Sequence, residues 1–164
     1  MACTKKGDHA KAESHLAQLS EKQELDGLKA KFVPHTSSPY ECAEVAEYIL
    51  LANIRFQQNK NEEALAAIKL AIRAEDSILY SEPKLWLIPA RQYLGAFLMQ
   101  MKDYKGAEKV YREDLMWNPG NGWSLLGLHQ SLEAQGKKGE LAKLKKLYTA
   151  SFSEADVMPV RSAN

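Results

Sequence analysis

The side chains best suited to hold a metal or act as a nucleophile are few and scattered: Cys3, His9, His15, His35, Cys42 and His129. His9 and His15 stand six residues apart, whereas two ligands share one helix face at a spacing of four. No metal site is expected from that spacing. The two cysteines have no CxxC spacing and are too few for a disulfide framework, so they leave the redox compartment open. The acidic pairs Glu62-Glu63 and Glu113-Asp114 fall within helical periodicity near lysines or arginines and read as solvated faces, with no suggestion of acid–base catalysis. There is no Gly-rich phosphate loop, no GxSxG elbow and no Cys/His arrangement in a recognisable local context. The reading is therefore no catalytic residue, no metal and no cofactor. An enzyme or metal-binding helical domain of unrecognised type is the competing class, since catalytic groups can converge from distant positions.

The elements behind these residues are helices. A chain of 164 residues with 45% hydrophobic content can bury one sizeable core, and its length suits a single domain. Its net charge of +1 gives no bias toward nucleic acid or an anionic membrane. No run approaches the 18 or so apolar residues of a membrane span, and the first residues lack the apolar centre of a signal peptide. Apolar residues recur at spacings of three and four over 12–25, 45–58, 62–75, 88–101, 105–117, 123–135 and 139–151. The intervening turns are short and polar: 58–61, 102–103, 118–121 and 136–139. Two breaks are longer. Residues 26–41 contain "KFVPHTSSPYE" with two prolines and read as a loop, and "SILYSEPKLW", 77–86, is a spacer interrupted at Pro83.

Gly95 poses the sharpest local question, because glycine inside an apolar helical stripe costs roughly 1 kcal/mol relative to alanine. A unit started at Ile88 answers it. Leu94 and Gly95 fall at positions 7 and 8, Leu98 at 11, Ala107 at 20, Tyr111 at 24 and Pro119 at 32, which resembles the 34-residue tetratricopeptide repeat. Positions 8 and 20 are where the two helices of such a unit cross, and small residues there let the axes approach to about 8–10 Å. Arg91 at position 4 and Asp114 at 27 depart from the pattern. A unit from Val45 matches well, with Tyr48, Leu51, Ala52, Ala64, Ile68 and Ala71 in register. A weaker unit from Gly122 carries Leu125, Leu128, Leu132, Leu141 and Tyr148, with His129 and Lys145 departing. Near the start, "GDHAKAESHLAQL" aligns with "KDYKGAEKVYRED" and puts Ala12, Leu16 and Leu19 at 20, 24 and 27.

The resemblance implies an all-α solenoid of antiparallel helix pairs wound as a right-handed superhelix. Its parts are a half repeat 1–25, a loop 26–44, a repeat 45–78, a spacer 79–87, a repeat 88–121, a C-terminal repeat and cap 122–155 and a tail 156–164. More narrowly, "YREDLMWNPGNGWSLLGLHQSLEAQGK", residues 111–137, is similar to the C-terminal end of long bacterial tetratricopeptide proteins. Many of those begin with a secretion signal, which leaves export of a parent protein to the periplasm open and makes this chain a C-terminal piece.

The same resemblance implies function. The concave surface of such an array is lined by the first helix of each unit, and carried onto this chain it includes Asn53, Phe56 and Gln57, then Gln92, Met99 and Gln100, then Trp123 and Gln130. Amide side chains can pair with the backbone of an extended peptide, and large apolar groups can accept its side chains. Of the residues with which some relatives clamp a terminal carboxylate, only Asn53 is matched, so no such clamp is expected. The basic run "KKGELAKLKKLY", 137–148, places Leu141, Leu144 and Leu147 on one stripe with Lys143, Lys145 and Lys146 off it, as a polar-faced last helix requires. The expected partner is thus a protein or peptide, with no nucleic acid and no membrane insertion. The helix of Ala12, Leu16 and Leu19 lacks its pair within the unit, so its apolar face needs a cover. A second copy of the chain is the favoured cover, with Phe32 and Val33 of the 31–35 segment as the other.

Overall fold

The computed structural model describes residues 2–24, 26–29 and 36–163, apart from the side chain of Asp26. Among these residues every regular element is a helix, and none is long and apolar enough to cross a membrane. In chain order they are α1 (Ala2–Lys5), α2 (His9–Gln23), α3 (Asp26–Lys29), α4 (Pro39–Gln57), α5 (Asn61–Ser77), α6 (Ala90–Gln100), α7 (Tyr104–Trp117), α8 (Gly122–Ala134) and α9 (Leu141–Ser151). They fall into two compact units, Met1–Ala90 and Arg91–Asn164.

One turn recurs four times. Gly7, Asn59, Lys102 and Gly136 each follow a helix with φ between 60° and 75°. At each, the next N–H reaches back over a full turn, from Asp8 to Cys3 O, Lys60 to Arg55 O, Asp103 to Leu98 O and Lys137 to Leu132 O. The left-handed residue's own N–H closes onto the carbonyl three before it, at Thr4, Phe56, Met99 and Glu133. This double closure satisfies the carbonyls that a helix end leaves open and reverses the chain at once. Asp8 and Asp103 then cap the next helix, accepting from the N–H of Lys11 at 3.1 Å and of Gly106 at 3.0 Å. A left-handed residue followed directly by a capping Asp, as in Gly7-Asp8 and Lys102-Asp103, both closes one helix and opens the next.

In the first unit α4 packs on α5 through alanines. Ala52 and Ala64, the small residues expected at the crossing, are fully buried, as are Ile68 and Ala71. α4 starts earlier than the periodicity suggests, inside the stretch read as loop. Ser38 precedes Pro39 at the first helical position, and the Glu41 carboxylate accepts from the Ser38 N–H at 2.5 Å. That Ser-Pro-x-Glu cap outweighs the helix-breaking reputation of the proline. The apolar face of α2 is also closed within the chain: Ala12 and Leu16 bury against Ile54, with Cys3, Leu50 and Leu51 around them. Leu16 therefore offers no open surface for a second copy, because α4 and the single turn of α1 already cover it. Phe32 and Val33 lie outside the described residues.

The second unit is organised around Tyr111. Its ring is completely buried in a slot walled by two glycines. A methyl on Gly95 of α6 would sit 2.4 Å from the ring, and one on Gly127 of α8 would sit 2.3 Å from it. Gly95 is thus there for close packing, and the atoms nearest to it belong to Tyr111, one helical turn beyond Ala107, which is buried in the same cluster. Ala107, Leu125, Leu128, Leu132 and Leu144 complete the cluster. Asp114, read from the sequence as half of a solvated acidic pair, is fully buried. Its carboxylate accepts from Asn118 Nδ2 at 2.9 Å, Asn121 Nδ2 at 2.9 Å and Ser124 Oγ at 2.6 Å. The polar 118–121 turn and Ser124 of α8 supply the donors a buried carboxylate needs and tie the end of α7 to the start of α8.

Candidate functional site

After α9 the chain runs without regular structure from residue 155 to 163, so its main-chain groups need partners elsewhere. Side chains of two helices provide them, and a third helix adds a bond to a side chain of the segment. Gln92 of α6 donates its Nε2 to the Ser162 carbonyl at 2.5 Å, and Gln130 of α8 donates to the Val160 carbonyl at 2.8 Å. Between them, the Tyr111 hydroxyl at the mouth of the glycine slot is hydrogen-bonded to Ser162 Oγ. Burial follows this register: Ser162 and Ala163 are 2% and 8% exposed, while Val160 is 74% exposed.

Each partner is held in place by the fold. Gln92 and Gly95 are three apart on α6, and Gly127 and Gln130 three apart on α8, so each helix puts one glycine and one amide on the same face. The glycines admit the Tyr111 ring, and the ring brings its hydroxyl level with the amides. Burial pushes the Tyr111 hydroxyl far above the ordinary tyrosine range, with the Ser162 hydrogen bond opposing. The group is therefore neutral at every physiological pH and acts as a hydrogen-bonding partner only.

The other residues singled out in the sequence are distributed as follows. Met99 is half-buried against the Tyr111 cluster. Gln100 is exposed, and its Nε2 lies 3.4 Å from the Ala96 carbonyl of its own helix. Trp123 meets Phe152 edge-on, with centroids 5.2 Å apart. In the first unit Asn53 donates to the Ile49 carbonyl at 2.8 Å, Phe56 is half-buried and Gln57 is exposed. The structure thus brings Gln92 and Gln130 onto one strand of main chain. Tyr111 stands out in the sequence as an aromatic core position, with nothing in the helical pattern that marks the role of its hydroxyl. The available signal was chemical: an aromatic core position carrying a hydroxyl needs a buried partner. Ser162 and Ala163 carry no periodic signal.

A second concavity, about 470 Å³, lies between α8 and α9 and includes His129, Gln130, Glu133, Lys145 and Tyr148. His129 meets the Tyr148 ring edge-on at 5.4 Å. Among the described residues no three of His, Cys, Asp and Glu stand together as a metal-holding group. The Glu108 carboxylate of α7 receives Lys137 Nζ at 2.6 Å, Gln135 Nε2 at 2.9 Å and Arg112 Nε at 3.1 Å. The Lys137 bond above all, with Gln135 and Arg112, holds its pKa down to about 2 against the opposing effect of burial. Arg112 also bonds Glu140, so α7 holds the α8–α9 turn in position. No family model, curated protein or solved structure matches this chain.

Proposed function

We propose that the chain is a non-catalytic interaction module of the tetratricopeptide kind, a solenoid of helix pairs, and that the α6–α8 face of its second unit binds an extended peptide or protein segment. The observation that carries this is the pair of amides, Gln92 and Gln130, donating to main-chain carbonyls two residues apart on an irregular strand. A primary amide offers donors in a plane and carries no charge, so it recognises the backbone of an extended chain with little demand on its side chains. The four identical helix-closing turns support the repeat reading, since one local device builds every pair.

Photo-crosslinking tests the proposal. Benzoylphenylalanine replaces Gln130 or Met99 on the face, and Lys109 or Lys143 away from it, in the full chain exposed to an extract of the source cells. Crosslinks at 130 and 99 to a discrete protein, absent at 109 and 143, are the expected result. Capture at 109 or 143 alone, or a metal ion or small metabolite that raises the melting temperature with no protein captured, would overturn it in favour of the competing class.

A further inference from the structure

Residues 158–163 occupy the very amides that the proposed function assigns to a partner. Their geometry describes what the face accepts, residue by residue. Val160 gives its carbonyl to Gln130 while its side chain points to solvent, and Arg161 is also exposed, so neither position is selected by side chain. Ser162 gives its carbonyl to Gln92 and its hydroxyl to Tyr111, with 2% of its surface exposed, and Ala163 is buried beside it. The deep end of the face therefore takes two small residues, the first bearing a hydroxyl.

The size limit has a physical source. Tyr111 cannot retreat from a larger side chain, since Gly95 and Gly127 wall its ring at distances that leave no room even for a methyl. A branched or long residue at the Ser162 position would meet the Tyr111 hydroxyl, and an apolar one would leave that buried hydroxyl without its partner. Nor is the segment bound by apolar area. Val157 and Val160 are more than 70% exposed and Met158 is 44% exposed, so outside the last two residues the described hold on it is the Gln130 bond to the Val160 carbonyl. Segments of this kind, with few buried contacts, open at low cost.

We infer that residues 158–163 are a displaceable resident of the α6–α8 face, and that the partner it gives way to is an extended segment with a small hydroxyl-bearing residue followed by a second small residue, as in Ser-Ala. This rests on the proposed function of the face and specifies its ligand. The competition is intramolecular, so the resident lowers the apparent affinity of any outside segment by the fraction of time the face is closed.

The test uses the full chain and a fluorescein-labelled synthetic peptide of residues 158–164, with the same peptide carrying Ser162→Leu as control, read by fluorescence anisotropy. The wild-type chain should bind the labelled peptide weakly. A full chain carrying Ser162→Leu, whose own segment no longer fits, should bind it about tenfold more tightly, as expected when a face closed nine-tenths of the time is released. The control peptide should bind neither. Hydrogen exchange on the wild type gives an independent reading: excess unlabelled peptide should speed exchange at 156–163 and leave α7 unchanged. This reading decides the matter if Ser162→Leu loses helicity. Equal affinity of wild type and a folded Ser162→Leu chain for the peptide, or equal binding of the two peptides, would overturn the inference, as would exchange at 156–163 that ignores the peptide. Those outcomes leave the crosslinking result at 130 and 99 standing if it is positive. Loss of crosslinks there would sink the functional reading itself.

Discussion

Gly95→Ala reports directly on whether Tyr111 is wedged between two helices. On an open helix face the change should stabilise by about 1 kcal/mol, since alanine is the best helix former and glycine among the worst. Here the added methyl would stand 2.4 Å from the Tyr111 ring, more than 1 Å inside a normal carbon–carbon contact of about 3.5–4.0 Å. The ring is fully buried and cannot swing the other way, because the backbone of Gly127 faces it as closely. Overpacking of this kind costs about 1–3 kcal/mol, so the overlap outweighs the propensity gain. We expect a net loss of about 1–2 kcal/mol, and more for Gly95→Leu. Urea unfolding followed by circular dichroism at 222 nm measures it. The double variant Gly95→Ala with Tyr111→Leu should recover part of the loss, since the shorter side chain vacates the slot. A Gly95→Ala chain more stable than wild type would refute the argument, because the sign is set by the contact alone.

Three other perturbations follow from the same packing. Glu108 has a folded pKa of about 2 against an ordinary 4.5, so its ion pairs stabilise fully above pH 4.5 and are lost as pH falls toward 2. With Lys137 and Arg112 half open to solvent we expect about 1 kcal/mol, and Glu108→Gln should flatten the stability profile over that window. Asp114→Ala should cost about 3 kcal/mol in chemical denaturation, as it strands the Asn118, Asn121 and Ser124 donors in a buried site; a loss below 0.5 kcal/mol would mean water replaces the carboxylate. Leu16→Glu should destabilise by more than 2 kcal/mol and leave the sedimentation coefficient of the folded fraction unchanged, since Leu16 faces Ile54. A variant of native stability that merely reduces self-association would show that the α2 face is open after all.

The helical class was legible because periodicity and short polar turns were both strong. The helix crossing at Gly95 was legible too, because a glycine in an apolar stripe demands a reason. That the Tyr111 ring makes the nearest approach to it was not legible, since position counting gives the helix pair but not the direction in which a long ring leans. The early start of α4 was hidden by Pro39, which reads as a breaker until Ser38 and Glu41 are taken together as a cap. Asp114 was hidden by Glu113, a neighbour that truly is partly solvated, and by donors that arrive from a turn four to ten residues later. The register marks Gln92 and Gln130 as lining amides of an open groove. Gln92 instead is buried beneath the 162–163 main chain, so a charge placed there would be stranded. What covers it could not be read, as residues 156–163 have no period, no cap and no motif.

Where a partner sits decides whether the α6–α8 face is a binding surface. Hydrogen–deuterium exchange of the intact chain, alone and saturated with the protein captured through residue 130, maps that face without altering any residue. Exchange should slow in 90–100 and 122–134 and quicken in 156–163, as the resident segment is released. Protection confined to 78–89 or to 141–151, with 156–163 unchanged, would contradict it.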